Sequence, residues 1–395
     1  MEKGMVTGNY AAAYGVKYAR AEVIPVYPIT PQTSLMEKII EFINHGELDA
    51  EFVPVESEHT AMAVAIAAEA MGARSFTASS AQGLVYMHEM LFAASGMRLP
   101  IVMCIVNRSI GAPNNLLGDI QDSLDTRDTS WIQLYAENAQ EIMDMVVQAY
   151  KIAEDPRVLL PVAVCYEGII ISHCMEPVMF LDQQRVNQFL SNYEPDHVLL
   201  DPNHPTHVQA ILTDDAYYME YKYQQQIAME NAKLVIQEVD ESFGERFGRR
   251  YGGLVESCWT EDAEVVLLTL GSISSTARRV VRDLRKRGIA IGFVKLRSLR
   301  PFPRELIQSL VSRVKGVAVI ERDASIGSGG VVYTELTSAL YANEPKPKIV
   351  NYIAGLGGRE VTYETLMILA KKTLQMVEGN SEFQPVQWVG VRGLL

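Results

Sequence analysis

Glu58 sits where an apolar run, Phe52-Val53-Pro54-Val55, meets a segment over 60–71 made almost wholly of Ala, Met, Val and Ile. The run reads as the end of a short buried strand and the segment as a buried helix. A carboxylate at that junction, backed by an apolar helix, is costly to desolvate unless something binds it. Arg108 is the second residue placed for chemistry. It follows Pro100-Ile101-Val102-Met103-Cys104-Ile105-Val106, a continuous buried strand, so its guanidinium is presented at a sheet edge rather than along a solvated helix face. A forked donor there suits a carboxylate ligand. A structural Glu58–Arg108 ion pair would account for both residues, and composition does not separate the two readings.

Other chemical signals are weaker. Asp119 and Asp122 in Gly118-Asp119-Ile120-Gln121-Asp122 lack the oxygen-rich ligand series of a hard-cation site, and a structured loop is expected. Gly355-Leu356-Gly357-Gly358 has neither the Walker lysine nor dinucleotide spacing, so it is read as a tight turn. The seven histidines form no HxxxH or HExxH set. His88 is expected to be a satisfied core residue; His59 lies closer to the proposed site, with a backbone cap as an equal reading. Ser79 and Ser80 have no base assigned beside them. Cys104, Cys165, Cys174 and Cys258 show no CxxC spacing and lie in or beside apolar runs, which predicts buried reduced thiols and no metal held by this chain alone.

The elements that must position these residues alternate. A helix is expected over 9–21, capped by Asn9, then a strand over 23–27, a break at Pro28-Ile29-Thr30-Pro31 and an amphipathic helix over 34–44. Strands follow over 75–79, 100–106 and 158–165. A turn over 80–83 opens a Met-rich helix to 94, and another helix covers 141–154. The order predicts a doubly wound parallel α/β sheet, in which ligands bind beyond the C-terminal strand ends. Thr30, Glu58, the segment 80–83 and Asn107-Arg108 all fall at or near such ends.

From 177 to 240 the pattern loosens into a peripheral excursion, with a long polar helix over 216–239. The Gly-rich, mixed-charge stretch 241–261 reads as a linker. A smaller α/β domain over 262–395 follows, with strands over 265–269, 289–296, 317–320 and 348–353 and a helix over 275–287. The net charge of −13 argues against nucleic acid. No apolar stretch approaches the ~20 residues of a membrane span and no signal-peptide pattern opens the chain, so a cytoplasmic protein is expected.

These residues carry a specific likeness. Tyr27-Pro28-Ile29-Thr30-Pro31, Glu56-Ser57-Glu58-His59, Ala81-Gln82-Gly83-Leu84, Asn107-Arg108 and Gly118-Asp119-Ile120-Gln121-Asp122-Ser123 occur in order. Arg127-Asp128, Trp131-Ile132-Gln133, Arg300-Pro301-Phe302-Pro303 and Gly355-Leu356-Gly357-Gly358-Arg359 follow. Together they resemble the alpha subunit of thiamin-diphosphate-dependent 2-oxoacid:ferredoxin oxidoreductases, the pyruvate:ferredoxin group most closely. The resemblance implies an N-terminal domain for the aminopyrimidine of thiamin diphosphate and a transketolase C-terminal-like second domain. It implies that Glu58 bonds the pyrimidine N1′ and promotes the imino tautomer that deprotonates the thiazolium C2. By the same carry-over Tyr27, Pro28, Ile29, Gln82 and Gly83 lie around the cofactor, and Thr30, Arg108, Asn114 and Asp119 face the substrate.

The chain lacks the family's Gly-Asp-Gly…Asn diphosphate motif and its cluster cysteines. The resemblance therefore implies a beta subunit carrying the diphosphate and Mg²⁺ site, gamma- and delta-type subunits with iron–sulfur clusters, and ferredoxin as acceptor. Where pyruvate-type subunits read Ser-Ala-Pro-Ile-Asn-Ile-Trp-Asn-Asp, this chain reads Gly111-Ala112-Pro113-Asn114-Asn115-Leu116-Leu117-Gly118-Asp119. Asn114 offers an amide donor where a methyl group would meet an apolar wall. That predicts a substrate more polar than pyruvate, with oxalate the sharpest candidate, against a simple repacking of the loop. A non-catalytic assembly subunit, its Glu58 paired only with Arg108, is the alternative from another class.

Overall fold

The computed structural model describes residues 2–195, 200–205 and 217–393. β1 (Lys3–Thr7) leads into α1 (Gly8–Ala19), followed by β2 (Val23–Val26), α2 (Thr33–Asn44), β3 (Glu51–Pro54) and α3 (Glu58–Ala70). Next come β4 (Phe76–Ser79), α4 (Ala81–Tyr86), α5 (His88–Gly96), β5 (Val102–Asn107), α6 (Gln121–Asp125), β6 (Ile132–Tyr135), α7 (Ala139–Ala153) and β7 (Val162–Glu167). β8 (Met175–Met179), α8 (Gln183–Phe189) and α9 (Tyr218–Phe247) close the N-terminal half. The C-terminal half holds β9 (Val255–Cys258), β10 (Val265–Leu270), α10 (Ile273–Arg285), β11 (Ile291–Leu296), β12 (Ser298–Arg300), α11 (Arg304–Val311), β13 (Gly316–Glu321), α12 (Val331–Ala339), β14 (Lys348–Ile353), α13 (Tyr363–Val377) and β15 (Val386–Trp388).

The first main sheet runs β12-β6-β7-β5-β4, parallel except for β12, and the parallel pair β2-β3 is joined to it through a Val23–Ser75 bridge. β5 and β7 are buried along their whole length because helices cover both faces, which is why their sequences run apolar without alternation. The second sheet runs β15-β14-β13-β10-β11-β9, with only β9 antiparallel. Its strands alternate between two cores: Val266, Leu268 and Leu270 join the large core shared with the N-terminal half, while Val265 and Leu267 pack with α10 and α13. The parallel α/β architecture expected for both halves is present.

The halves are tied together by charge as well. Glu141 on α7 accepts from Lys295 at 2.7 Å and Arg297 at 3.2 Å, all three fully buried. Burial opposes the charge of Glu141, and the two cations nevertheless hold its carboxyl below the usual range.

Several local expectations are corrected. Thr7, not Asn9, caps α1, by accepting from the Tyr10 N–H. Asn9 instead lies buried in the first turn and donates to Pro31 O (2.7 Å) and Ser34 Oγ (2.8 Å), tying α1 to the segment after Thr30. The turn expected over 80–83 is already helical, and the Met-rich helix is two helices broken at Met87. The strand expected over 158–165 begins only at Val162, and β6 and β12 join the same sheet unanticipated. α9 runs on to Phe247, into the stretch read as linker, because Val239, Phe243 and Phe247 are buried and Phe243 packs on Phe189; residue 216, where that helix was expected to begin, lies outside the described residues. The second sheet has six strands rather than four, edged by β9 and β15. Cys174 is exposed and Cys258 half-buried, so only Cys104 and Cys165 are core thiols. His88 is half-buried 3.8 Å from Asp125 rather than in the core, and His59 bonds Glu89 at 3.0 Å rather than the backbone. Among the described residues no helix is long and apolar enough to cross a membrane.

Candidate active site

The loops after β2, β3, β4 and β5 meet at one edge of the N-terminal half, the C-terminal strand edge where open α/β sheets bind ligands. Glu58 is the first residue of α3. Ser57 caps that helix by accepting from the Thr60 N–H at 3.2 Å, so the Glu58 side chain is released from capping. Its place in the first turn sets it at the positive end of the helix dipole. Glu58 is 7% exposed, and among the described residues nothing donates a hydrogen bond to its carboxylate or pairs with it. The carboxylate rests against Gly83 on α4. A Cβ built there would stand 2.4 Å from Glu58 Oε1, so the glycine is the space the carboxylate occupies. The hydroxyls of Ser79 and Ser80, between β4 and α4, are buried without a hydrogen-bond partner.

Arg108 does not pair with Glu58. Its fork donates to Thr30 O at 2.6 Å and to Gln82 Oε1 at 2.7 Å. Gln82 in turn donates through Nε2 to Asn114 Oδ1 at 2.8 Å. Thr30, Arg108, Gln82 and Asn114 thus form one chain, while Glu58 stands beside it close enough to be felt by Arg108 electrostatically. Half-burial lowers the Arg108 pKa, and Asp122 and Glu58 counteract that shift. The purely structural ion pair considered for these two residues is not formed.

Asp122 holds this arrangement together. It is fully buried and accepts from Ala81 N (2.8 Å), Asn107 Nδ2 (2.7 Å), Arg108 N (3.0 Å) and Ser123 N (2.9 Å). It therefore fixes the start of α4, which carries Gln82 and Gly83, against the end of β5, which leads into Arg108. Burial pushes its pKa up to about 6, and these four donors oppose the rise. The structured loop expected around the aspartates holds for Asp119, whereas Asp122 lies in the first turn of the short helix α6.

Asp119 is not brought to the others. Its Oδ1 accepts from Gln121 N at 2.8 Å, and its charge faces Arg322 and Asp323 of the C-terminal half. Burial, with Asp323 nearby, lifts its pKa to about 6 against the pull of that N–H. Tyr27 and Pro28 are exposed and Ile29 is half-buried; the Tyr27 carbonyl accepts from Gln32 Nε2 at 2.8 Å. The assembled edge is open on its outer side, and a cleft lined by His59, Val85, Tyr86 and Glu89 adjoins it. A cavity of about 510 Å³ beside Glu154, Arg157 and Tyr193 shares none of these residues.

An unpaired buried carboxylate and a forked cation on neighbouring strand ends define a ligand-binding α/β chain with its site at the C-terminal edge of a parallel sheet. Residues 14–241 match the family described as pyruvate flavodoxin/ferredoxin oxidoreductase, thiamine diphosphate-binding, and residues 263–366 match pyruvate:ferredoxin oxidoreductase core domain II. The pyruvate synthase subunit PorA of Pyrococcus abyssi is 46% identical over 391 residues, covering 98% of each chain. PorA of Methanocaldococcus jannaschii is 46% identical over 393 residues, covering 99% of this chain and 98% of its own. The ketoisovalerate oxidoreductase subunit VorA of Pyrococcus abyssi is also 46% identical, over 386 residues, covering 98% of this chain and 97% of its own. Among solved structures, the 2-oxoglutarate:ferredoxin oxidoreductase from Magnetococcus marinus aligns with a TM-score of 0.73 at 19% identity, over 94% of this chain and 65% of that longer one. A split-gene transketolase aligns with a TM-score of 0.52 at 15% identity, over 93% of this chain and 98% of its own. Those two likenesses establish the fold. The chain belongs to the pyruvate:ferredoxin oxidoreductase family, as the alpha subunit of a 2-oxoacid:ferredoxin oxidoreductase.

Proposed function

We propose that this chain supplies the pyrimidine side of a thiamin diphosphate site shared with a beta subunit, in a complex that oxidatively decarboxylates a small 2-oxoacid and reduces ferredoxin. The observation that carries the reading is Glu58, buried at a helix N-terminus and without a partner among the described residues, beside the gap left by Gly83. The residues present fit the cofactor: a carboxylate seeks a ring nitrogen, and the orphaned hydroxyls of Ser79 and Ser80 offer further polar contacts. When bound, thiamin diphosphate supplies the carbon nucleophile and takes up the electron pair released with carbon dioxide. Glu58 holds a proton shared with the aminopyrimidine and so sets its tautomer. Gly83 keeps the Glu58 carboxylate in place, Gln82 braces Arg108, Arg108 and Thr30 orient the substrate carboxylate, and the apolar α3 behind Glu58 excludes water. The diphosphate and Mg²⁺ belong to the partner in this reading, and the iron–sulfur clusters to further subunits.

For the substrate, relatives named for pyruvate and ketoisovalerate favour a 2-oxoacid with an apolar side group. Oxalate has no support among them. What favours a more polar acid is Asn114: its Oδ1 is engaged by Gln82, which leaves the amide NH₂ without an acceptor among the described residues. Ferredoxin reduction by the assembled complex with pyruvate, 2-oxoisovalerate and oxalate decides between them, since only the first two should depend on coenzyme A. Glu58→Ala tests the reading as a whole. An enzyme subunit loses ferredoxin reduction and thiamin diphosphate affinity while the complex still assembles; an assembly subunit loses stability instead.

A further inference from the structure

The loop over 109–120, which carries Asn114, leans on the C-terminal half of the chain rather than on its own sheet. Gly357 N donates to Gly118 O at 3.1 Å, and Ile120 N donates to Arg322 O at 3.4 Å. The turn over 355–358 lies flat beneath the loop. A Cβ at Gly358 (φ +74°) would stand 2.5 Å from Leu117 Cβ, and one at Gly357 (φ +66°) would stand 2.9 Å from Asn115 Nδ2. Gly358 has no room for a side chain, at Gly357 the tip of Asn115 would have to give way, and both need a backbone conformation that favours glycine.

Arg322 fills the remaining space. It is buried at the end of β13, and its Nη1 donates to Gly355 O at 2.9 Å. The same nitrogen is 2.8 Å from where a Cβ of Gly118 would lie, and Nε is 3.6 Å from Glu167 Oε2 at the end of β7. The guanidinium is therefore wedged between the N-terminal sheet, the loop and the turn. Within the loop, Ser109 Oγ donates to Asn115 O (2.9 Å) and accepts from Asn115 N (2.7 Å). A shift imposed at Asn115 or Leu117 is thus passed to Asn114, then through Gln82 to Arg108.

We propose that Arg322 and the turn over 355–358 are positioning elements for substrate selection: the C-terminal half sets the shape of the wall beside Asn114 and so decides which 2-oxoacid side group it accepts. This rests on the 2-oxoacid reading above. Neither Arg322 nor the turn touches substrate; they act through the loop.

The test uses the assembled complex carrying Gly358→Ala, Arg322→Gln or Arg322→Lys, and the double variant Gly358→Ala/Leu117→Gly, which removes the opposing Cβ. Steady-state kinetics with pyruvate, 2-oxoisovalerate and oxalate are read beside amide hydrogen exchange over 109–120. Gly358→Ala and Arg322→Gln should change the ratio of kcat/KM between acids by about tenfold or more, mainly through KM, and speed exchange in the loop. Arg322→Lys should keep part of the wild-type ratio. The double variant relieves the clash but keeps alanine at a positive φ, so its ratio should move back toward that of Leu117→Gly alone without reaching it. An equal fall in kcat for every acid, or faster exchange with an unchanged ratio, overturns the proposal, and if Gly358→Ala fails to fold the two Arg322 variants decide the same question. A wild-type complex that oxidises none of the acids overturns the 2-oxoacid reading and this proposal with it, whereas active wild type with unmoved ratios overturns the proposal alone.

Discussion

Replacing Gly83 by alanine separates activity from stability. The new methyl group would stand 2.4 Å from Glu58 Oε1 and 2.8 Å from Cδ and Cγ, where ordinary contact begins near 3.4 Å, so the carboxylate must withdraw by about 1 Å. Overpacking of this kind costs roughly 1–3 kcal/mol, at the low end here because the obstacle is the tip of a flexible side chain. Alanine within α4 recovers about 0.5–1 kcal/mol of helix propensity. The two nearly cancel, and the melting temperature of the chain should change by no more than a few degrees. A 1 Å displacement of a group proposed to meet a ring nitrogen is worth on the order of 10²-fold in rate. Ferredoxin reduction by the reconstituted complex should fall by about that factor, with a parallel loss of thiamin diphosphate affinity by titration calorimetry. In a Glu58→Ala background the same substitution should add nothing, because the carboxylate it displaces is gone. A Gly83→Ala complex that keeps half its activity and its cofactor affinity would refute the reasoning.

Four further outcomes follow from contacts described above. Arg108→Lys replaces a fork that holds Thr30 O and Gln82 Oε1 with a single point donor, and should raise KM for the 2-oxoacid about tenfold while the complex assembles normally; an unchanged KM would remove Arg108 from substrate binding. Asp122→Asn turns one acceptor oxygen, which takes two of the four bonds, into a donor facing two donors, and should destabilise the chain by about 2–4 kcal/mol in urea titrations; a loss under about 1 kcal/mol would mean the four bonds are not its role. Glu141→Ala leaves Arg297 buried without its carboxylate and Lys295 with only Glu137 and Glu256 at 3.8 Å, and should cost about 3–5 kcal/mol, read from the same titrations. Glu321, buried behind the N-terminus of α12, has its pKa pushed up to about 8 by burial and the nearby charge of Asp323. The folded chain holds that proton more tightly than the unfolded one, so the resulting stability is complete below about pH 4 and is lost as pH rises through about 8. Melting temperature should therefore decline between about pH 4.5 and about pH 8 and level off above that, and decline less in Glu321→Gln; parallel curves would assign the decline to other groups.

The parts of this fold that were readable in the sequence are those where burial alone dictates composition. β5 and β7 are covered on both faces and run apolar almost from end to end. Glu58 was readable because a charge beside an apolar helix is improbable without a task, and Arg108 because it follows such a strand. What was not readable depends on partners distant in the chain. β6 hid because it has only four residues, one of them Gln133, which is buried since its amide donates to Ser123 O and Thr126 Oγ1. β12 is a three-residue strand defined by its pairing with β6 rather than by any pattern of its own. Asp119 was grouped with the substrate residues by its motif, yet its side chain turns to Arg322 and Asp323, which no local spacing relates to it. The break between α4 and α5 falls at Met87, a good helix former, and only the backbone geometry reveals it.

The pairing of β12 with β6 also bears on how the chain is made. As it leaves the ribosome, β4, β5, β6 and β7 are all available long before Ser298–Arg300 emerges. Until then the backbone donors and acceptors along one side of β6 face no partner, and an unpaired edge of this kind templates association with other strands. Synthesis therefore includes an interval in which a nearly finished sheet is open to the wrong neighbour. The interval ends only when a segment from beyond the Gly-rich stretch folds back to close it. Fragments cut between α9 and β10 keep that side of β6 open permanently and should be recovered as aggregates, while in the intact chain β6 is flanked on both sides and offers nothing to pair with.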